Sequence, residues 1–416
     1  MSADPQATVQ AIWRIESARL IAGLTRLVRD VGLAEDLAQD ALVAALEKWP
    51  ESGVPDNPGA WLMAVGKHRA IDVIRRNARL ERNYEQLARE LDWHEEFDDE
   101  GMLPDGVEDD LLRLIFMTCH PVLSREARIA LTLRLLGGLT TAEIARAFLA
   151  PEATIAQRIV RAKRTLSEVR VPFEAPNGRE RAARLESVLE VVYLVFNEGY
   201  SATAGDDWLR PSLCSEALRL GRILAELAPA EPEVHGLVAL MELQASRLRA
   251  RVDASGAPVL LLDQDRARWD GVLIGRGLAA LRRAEGFGGA LGRYGLQAAI
   301  AACHARARTA EETDWVRIVA LYDALAQVAP SPIVELNRAV AVSMAFSAAA
   351  ALELVDELVG EPALEGYHLL PSVRGELLLR LGRVAEARTE LERAAALTCN
   401  TRERELLLAR IDSTGV

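Results

Sequence analysis

Residues 139–166 carry the side chains whose types and spacing best fit a chemical role. The segment LTTAEIARAFLAPEATIAQRIVRAKRTL predicts two helices and a tight turn, because Pro151 cannot continue the first helix but is favoured at the first position of the next. Thr140 or Thr141 can cap the first helix, and Glu143 suits its electropositive first turn. This pattern favours a helix-turn-helix that enters a DNA major groove over an ordinary helical hairpin with a solvated basic face.

The second helix of this pair supplies the candidate DNA contacts. Its apolar residues recur at helical spacing up to Leu166, which leaves a basic remainder for a partner. Arg158 can pair bidentately with guanine and Gln157 with adenine, whereas cations further along the helix suit phosphates. The candidate residues are Glu152, Thr154, Gln157 and Arg158 for base edges, and Arg161, Lys163 and Arg164 for phosphates.

The charge of the chain is unevenly distributed. The 416 residues have a formal net charge of −12, which alone argues against a nucleic-acid partner. However, residues 81–110 have a local balance of −11 and residues 121–170 a balance of +5. A basic module beside an acidic segment is compatible with DNA binding. Because 46 of the 49 basic residues are arginines, their abundance by itself is not evidence of recognition.

Two further helices are predicted upstream of the helix-turn-helix. Residues 34–49 (AEDLAQDALVAALEKW) separate into an apolar face and an acidic face that carries Asp36, Gln39 and Asp40, suited to a basic partner. A turn rich in Pro and Gly follows from Pro50 to Gly59. The next helix, predicted from about Ala60 to Arg79, has far more basic than acidic residues.

These two helices resemble region 2 of the sigma-70 family in its small extracytoplasmic-function form, and residues 139–166 resemble the region 4 of that family. The resemblance covers roughly residues 8–170. It implies that Asp36, Gln39 and Asp40 dock on core RNA polymerase, and that the helix after them melts and reads the promoter −10 element. The residues at the corresponding positions of that helix are Trp61, Lys67, His68, Arg69, Arg75 and Arg76.

The resemblance also assigns the −35 element to the second helix of the helix-turn-helix. Two departures limit how far contacts can be transferred: Ala156 stands where the family often has lysine, and Leu149 replaces the expected turn glycine. Trp61 is expected in the core rather than stacked on DNA. The acidic linker is either a plain tether or a segment that threads toward the polymerase active centre.

The predicted fold is all-α, with two small helical modules and a large helical extension. The expected ranges are region 2 at 8–80, an acidic linker at 81–108, region 4 at 109–170, a second linker at 171–180 and the extension at 181–416. Within the extension, residues 333–400 resemble tetratricopeptide helix pairs, because Ala339, Ala351, Val355 and Leu358 recur 36 residues later as small or apolar residues. Such repeats predict an intramolecular or protein partner.

No enzyme, cofactor or metal site is predicted. The four cysteines lack metal-ligand spacing and fit a reducing cytoplasm, and no apolar run of about 18 residues predicts a membrane span. Polar residues of the extension could line a pocket, but helix capping is the favoured interpretation: Glu198, Tyr200, Asp206, Asp207, Asp263, Asp265 and Trp269.

The predicted function is promoter selection and −10 opening for core RNA polymerase, with the extension in control. The alternative is a stand-alone helix-turn-helix regulator, which leaves the acidic face at 36–40 unexplained. A catalytic extension is a third possibility, and it requires titratable residues that converge in one cleft.

Overall fold

The computed structural model describes residues 5–84, 107–148, 150–176, 178–202, 208–254 and 256–413. Over these ranges the chain is helical and holds no β-strand, which confirms the all-α prediction. It divides into two compact units, residues 1–191 and 192–416. No helix in the described ranges is long and apolar enough to cross a membrane.

The first unit is built from helices that pack around α1. Its helices are α1 (Pro5–Val28), α2 (Val31–Ser52), α3 (Pro58–Tyr84), α4 (Val107–Thr118), α5 (Arg125–Leu135), α6 (Thr141–Ala147), α7 (Glu152–Glu168) and α8 (Gly178–Tyr200), the last of which ends beyond the unit boundary. Helix α1 contacts α2, α3 and α4, while α7 packs on α5 and α6. The core of the unit therefore runs through both predicted modules.

Glycines allow α1 and α3 to approach closely. A Cβ at Gly66 of α3 would lie 3.0 Å from the side chain of Leu24, and one at Gly23 of α1 would lie 2.7 Å from Met63. The two helices thus pack with little space between their backbones, which fixes α3 against the rest of the unit.

Helix α2 is longer than predicted. The sequence placed Pro50 in the following turn, but α2 continues to Ser52 and Gly53 ends it with a φ of 81°. A left-handed residue stops a helix at little cost when it is glycine, whereas Pro50 lies in the last turn and removes only one backbone donor. Helix α3 likewise runs to Tyr84, into the range predicted as linker; most of that linker, and Leu149, lie outside the described residues.

The N-terminal part of α8 packs against the end of α4. Arg184 is buried, donates to the carbonyl oxygen of Phe116 at 2.9 Å and lies over the Phe116 ring. Ser187 donates to the carbonyl oxygen of Cys119 at 2.7 Å, and Glu190 pairs with Arg125 at 2.6 Å. Side chains of α8 therefore satisfy carbonyl groups that the end of α4 leaves without helical partners.

The second unit is a succession of helices in which neighbours along the chain pack together. After α8 they are α9 (Pro211–Leu227), α10 (Pro232–Ala245), α11 (Gly271–Glu285), α12 (Arg293–Arg306), α13 (Trp315–Val328), α14 (Pro332–Ala345), α15 (Ala348–Glu357), α16 (Leu369–Arg380), α17 (Val384–Leu397) and α18 (Thr401–Ser413). Helix α10 is buried on nearly all sides, where a Cβ at Gly236 would lie 2.7 Å from the backbone nitrogen of Gly295 in α12.

The predicted repeat positions lie in α14–α17. Ala339, Ala351 and Val355 are buried together with Ala387 in one core cluster. Gly375 faces α17, because a Cβ there would lie 2.9 Å from the Leu391 side chain. Helix pairs with this spacing are present, and their assignment as tetratricopeptide repeats stays a prediction.

Candidate nucleic-acid interface

The helix-turn-helix begins with a capping box. The hydroxyl of Thr140 accepts from the backbone N–H of Glu143 at 3.1 Å, and the Glu143 carboxylate accepts from the backbone N–H of Thr140 at 2.8 Å. Thr140, rather than Thr141, is therefore the cap. Pro151 precedes α7 as its N-cap, one position earlier than predicted. Its carbonyl oxygen still accepts from Ile155 N–H at 3.2 Å, so it begins the hydrogen-bond ladder.

Helix α7 packs its apolar face into the core and exposes most of its polar face to solvent. Ile155, Ile159, Ala162 and Leu166 are buried, as the sequence pattern predicted. The outer surface carries the candidate base contacts: Thr154, Gln157 and Arg161 are exposed and Arg158 is half-buried.

Four of the candidate DNA contacts share one cleft. Thr154, Gln157, Arg158 and Arg161 line it together with residues 122–124, which precede α5, and with residues 126–127 of its first turn. Hydrogen bonds from its own backbone N–H and from Ser124 lower the pKa of Glu126, with a smaller contribution from the positive charge of Arg158. Glu126, which was not among the residues predicted from the sequence, therefore places a negative charge in the neighbourhood of Arg158.

The remaining candidates of α7 do not join this cleft. Lys163 follows Arg161 by two residues, about 200° around a helix of 3.6 residues per turn, and lies on the other side. Its ammonium group pairs with Glu35 of α2. Arg164 is exposed and pairs with Glu168 at 2.6 Å, and Glu152 is exposed at the start of the helix.

Helix α3 presents an exposed, mostly basic stripe. His68, Asp72 and Arg75 are exposed and follow one another at spacings of four and three residues, so they lie on one face. Arg76 is exposed beside them and Lys67 is half-buried. This stripe has the cations that a nucleic-acid backbone requires.

Two other candidates of α3 are held by α2. Arg69 pairs with Asp40 at 2.9 Å. Trp61 is half-buried and meets the buried ring of Trp49 edge to face, with centroids 5.3 Å apart. Trp61 therefore has a packing role, which is the placement that the sequence favoured.

The acidic face of α2 is partly open. Asp36 and Asp40 are exposed, whereas Gln39 is half-buried and donates to the Glu35 carboxylate at 2.8 Å. Glu35 itself is only 3% exposed and pairs with Arg134 of α5 at 2.7 Å as well as with Lys163. Glu35 was not among the residues predicted from the sequence. It is a carboxylate on the buried side of α2, where Ala34 and Ala38 are also buried.

Three of the candidate pocket residues of the second unit have partners within the chain. Arg210 pairs with Glu198, Arg247 donates to the Tyr200 hydroxyl at 2.6 Å, and Asp265 accepts from the N–H of Ala267 at 2.9 Å. These contacts favour the structural interpretation over a catalytic pocket. Asp206 and Asp207 lie outside the described residues.

Comparisons with known proteins match three parts of the chain. The model of Sigma-70 region 2 matches residues 14–80, and that of Sigma-70, region 4 matches residues 113–166. A family of unknown function, DUF6596, matches residues 184–285.

The matched relatives include one of nearly full length. An uncharacterized protein of Rhizobium meliloti is 47% identical over 395 residues, which cover 94% of this chain and 92% of the relative. A "Probable ECF RNA polymerase sigma factor SigI" of Mycobacterium tuberculosis is 28% identical over 177 residues, which cover 42% of this chain and 59% of the relative. No solved structure matches the chain.

Both regions occur in the expected order, and each coincides with one of the basic helices described above. The chain therefore belongs to the sigma-70 family as a sigma factor of the extracytoplasmic-function type, with a C-terminal extension that contains a DUF6596 domain.

Proposed function

We propose that this sigma factor binds core RNA polymerase, directs it to promoters with particular −35 and −10 elements, and helps to open the −10 region. The observation that carries the proposal is the presence of two exposed basic helix faces, on α3 and α7, within the matched regions 2 and 4. The proposal assigns promoter choice and strand opening to this chain and nucleotide addition to the polymerase.

Recognition of the −35 element is assigned to the cleft-lining residues of α7. Arg158 has the planar fork that matches the O6 and N7 acceptors of guanine, and Gln157 has the amide that matches adenine. Arg161, on the same face, suits a phosphate. This set differs from the sequence-based one in that Lys163 and Arg164 lie away from the cleft.

Recognition of the −10 element is assigned to the exposed stripe of α3. Separated DNA strands are held by cations along the backbone and by pockets or rings for extruded bases. Arg75 and Arg76 supply exposed cations, and His68 lies on the same outer surface. Arg69, which is paired with Asp40, positions α3 on α2 in addition to any contact with DNA.

Binding to core polymerase is assigned to the acidic face of α2. Asp36 and Asp40 are exposed carboxylates separated by one helical turn, so both face the same direction. Such a pair suits a basic partner surface and steers its approach.

Control of activity is assigned to the C-terminal extension. Helix α8 starts in the first unit, where Arg184 and Ser187 bind carbonyl oxygens at the end of α4, and it ends in the second unit. The DUF6596 match begins at residue 184, on this same helix. A change in the extension can therefore be transmitted to region 4 through α8.

Run-off transcription tests the proposed function. Purified core polymerase and the full chain are combined with the DNA that lies upstream of the gene for this protein. We expect a transcript that requires the chain and that is weakened by Asp36→Arg, which leaves the pair between Asp40 and Arg69 intact. If the chain neither supports transcription nor binds core polymerase, the sigma-factor role is rejected and a stand-alone DNA-binding regulator is favoured.

A further inference from the structure

Three arginines of the connection between α10 and α11 lie against two aromatic rings of the second unit. The guanidinium carbon of Arg251 is 3.8 Å from the ring centroid of Tyr200, and that of Arg247 is 5.8 Å from the same centroid. Arg247 also lies 5.6 Å from the ring centroid of Trp269, and Arg266 lies 4.7 Å from it. Ring faces attract guanidinium ions but carry no net charge. We call these three residues the arginine cluster.

The middle of the arginine cluster is buried. Arg247 is 9% exposed, and Arg251 and Arg266 are half-buried. Burial lowers the pKa of Arg247, and the positive charge of Arg251 contributes in the same direction. Arginine nevertheless keeps its charge at neutral pH, so loss of a proton does not relieve the repulsion. Like charges in a partly buried place cost free energy unless an anion compensates them.

The acceptors that two of the arginines use are neutral. Arg247 donates to the Tyr200 hydroxyl at 2.6 Å and to the side-chain carbonyl oxygen of Gln244. Arg266 donates to backbone carbonyl oxygens, among them that of Ala307 at 2.9 Å. These bonds satisfy N–H groups, but they leave the positive charge in place.

Arg251 has no hydrogen-bond acceptor for its side chain among the described residues, although its Nε is buried. A second donor beside the cluster, the indole Nε1 of Trp269, is also buried without an acceptor in the described part of the chain, and Trp269 is 8% exposed. Buried donors in native proteins are nearly always satisfied. These two donors therefore indicate an acceptor that another molecule supplies.

Carboxylates compensate only one end of the cluster. Burial and the positive charge of Arg247 lower the pKa of Arg266, which Glu311 and Glu312 raise to a smaller extent. Within the described ranges, no carboxylate forms an ion pair with Arg247 or Arg251. The uncompensated charge is therefore that of Arg247 and Arg251, two positive charges beside one tyrosine ring.

We propose that the arginine cluster binds a small phosphate-bearing anion, either free phosphate or a phosphate monoester, through Arg251 and Arg247. Two guanidiniums match a dianion better than a carboxylate, which brings a single negative charge. Arg251 is half-buried, so solvent reaches it, and its planar fork suits two phosphate oxygens. Both arginines, and the Tyr200 and Trp269 rings, lie within the segment 184–285 that matches DUF6596. The domain thereby acquires a class of ligand.

Calorimetric titration of the full chain with inorganic phosphate, at constant ionic strength, tests the site. We expect one phosphate per chain with a Kd of about 1 mM or tighter. Arg251→Gln should weaken binding at least about tenfold, because charge-assisted hydrogen bonds are lost. Arg251→Lys keeps the charge without the fork and should weaken it less. The control is Arg249→Gln, which removes an exposed cation two residues away and should bind as the parent chain does.

Two further titrations identify the anion. Acetate, with one negative charge, should bind more weakly than phosphate. Methyl phosphate separates the two sources of the phosphate group, because tighter binding than that of inorganic phosphate supports a monoester and weaker binding supports the free ion. Circular dichroism of each variant verifies that the helical fold is retained.

Absence of phosphate binding would overturn the proposal, and so would equal binding of acetate and phosphate. Unchanged affinity in both Arg251 variants, or the same loss with Arg249→Gln, would also overturn it. Asp206 and Asp207 lie outside the described residues. If Asp206→Asn/Asp207→Asn binds phosphate and the parent chain does not, carboxylates of the chain itself neutralise the cluster, and the phosphate site is rejected. These titrations contain neither polymerase nor DNA, so their outcome is independent of the run-off assay.

Discussion

Arg158 and Arg161 lie on the same face of α7 but in different surroundings. Arg158 is half-buried, and its positive charge contributes to the lowered pKa of Glu126, whereas Arg161 is exposed. A half-buried guanidinium has fewer conformations open to it than an exposed one, so it loses less freedom when it meets a base edge. This difference supports a specific contact for Arg158 and a phosphate contact for Arg161.

The first prediction concerns discrimination between promoters. Arg158→Ala should reduce the preference for the native −35 element over single-base variants by roughly 1–3 kcal/mol, because a bidentate base contact is lost. Arg164→Ala is the matched control, since Arg164 is on the same helix but pairs with Glu168. Competition binding of the polymerase holoenzyme to −35 variants measures the effect. Equal loss on all variants with Arg158→Ala would place the reading residue elsewhere.

His304 is a buried neutral group in the second unit. Burial, together with the positive charges of Arg247 and Arg266, lowers the pKa of His304 to about 4. The ring lies edge to face with Trp315, with centroids 5.1 Å apart. The folded protein therefore keeps His304 neutral at pH values where an unfolded histidine is protonated.

The second prediction follows from this pKa. As the pH falls from about 6.5 to about 4, the unfolded state gains a proton at His304 that the folded state does not bind, so stability decreases by on the order of 3 kcal/mol. His304→Gln should remove that part of the pH dependence, and His68→Gln, at an exposed position, should not. Urea unfolding at pH 7 and pH 4.5, followed by circular dichroism, measures it. The same pH dependence in His304→Gln and the parent protein would contradict the assignment.

At the scale of the element, α6 depends on its capping box because it has only seven residues. A helix this short has few internal hydrogen bonds, so the two bonds between Thr140 and Glu143 are a large share of its local stability. The orientation of α6 in turn supports α7, since the two helices pack together.

The third prediction is that Thr140→Ala loosens α6. Loss of the cap should cost about 1 kcal/mol, which corresponds to about fivefold faster hydrogen exchange in α6. Thr141→Ala is the control, because Thr141 is the first helical residue and not the cap. Hydrogen exchange followed by mass spectrometry reads the segment directly. Equal exchange in the two variants would show that the cap contributes little.

The contact of α8 with α4 leads to a fourth prediction. Arg184→Ala removes a buried charged donor from the carbonyl oxygen of Phe116, so protection of the α4 amides should fall by about 2 kcal/mol, or about thirtyfold in exchange rate. Arg219→Ala, which breaks a partly exposed pair with Glu216, should change stability by less than about 1 kcal/mol. Unchanged exchange in α4 would show that α8 does not support region 4.

The sequence predicted most elements but not their tertiary partners. The apolar stripe of α7 follows from local periodicity, and the structure confirms it. Lys163 looked like a phosphate contact because its basic type was visible and its partner, Glu35, lies 128 residues earlier in the chain. Pairings over such separations depend on how modules pack, which a helical pattern does not contain. The end of α2 was predicted wrongly for a different reason. Pro50 suggested that the turn begins there, but the helix continues to Ser52 and ends at Gly53.

At the scale of the whole molecule, the first unit holds regions 2 and 4 together in one compact body, through contacts of α1 with α4 and of α2 with α7. The buried Glu35 pairs with cations of both α5 and α7, and the cleft beside α7 carries the residues assigned to the −35 element. The DUF6596 match covers residues 184–285, which begin on α8 and continue through α11.

Transcription from a library of randomised promoters tests directly whether the chain selects promoters through two DNA elements. Core polymerase is supplied with the library in the presence and absence of the full chain, and the transcripts and their upstream DNA are sequenced. We expect transcripts that require the chain and whose upstream DNA contains two enriched motifs at a fixed separation. Arg158→Ala should weaken the sequence preference at the upstream motif. A failure to obtain any transcript that requires the chain, or enrichment of one motif alone, would contradict it.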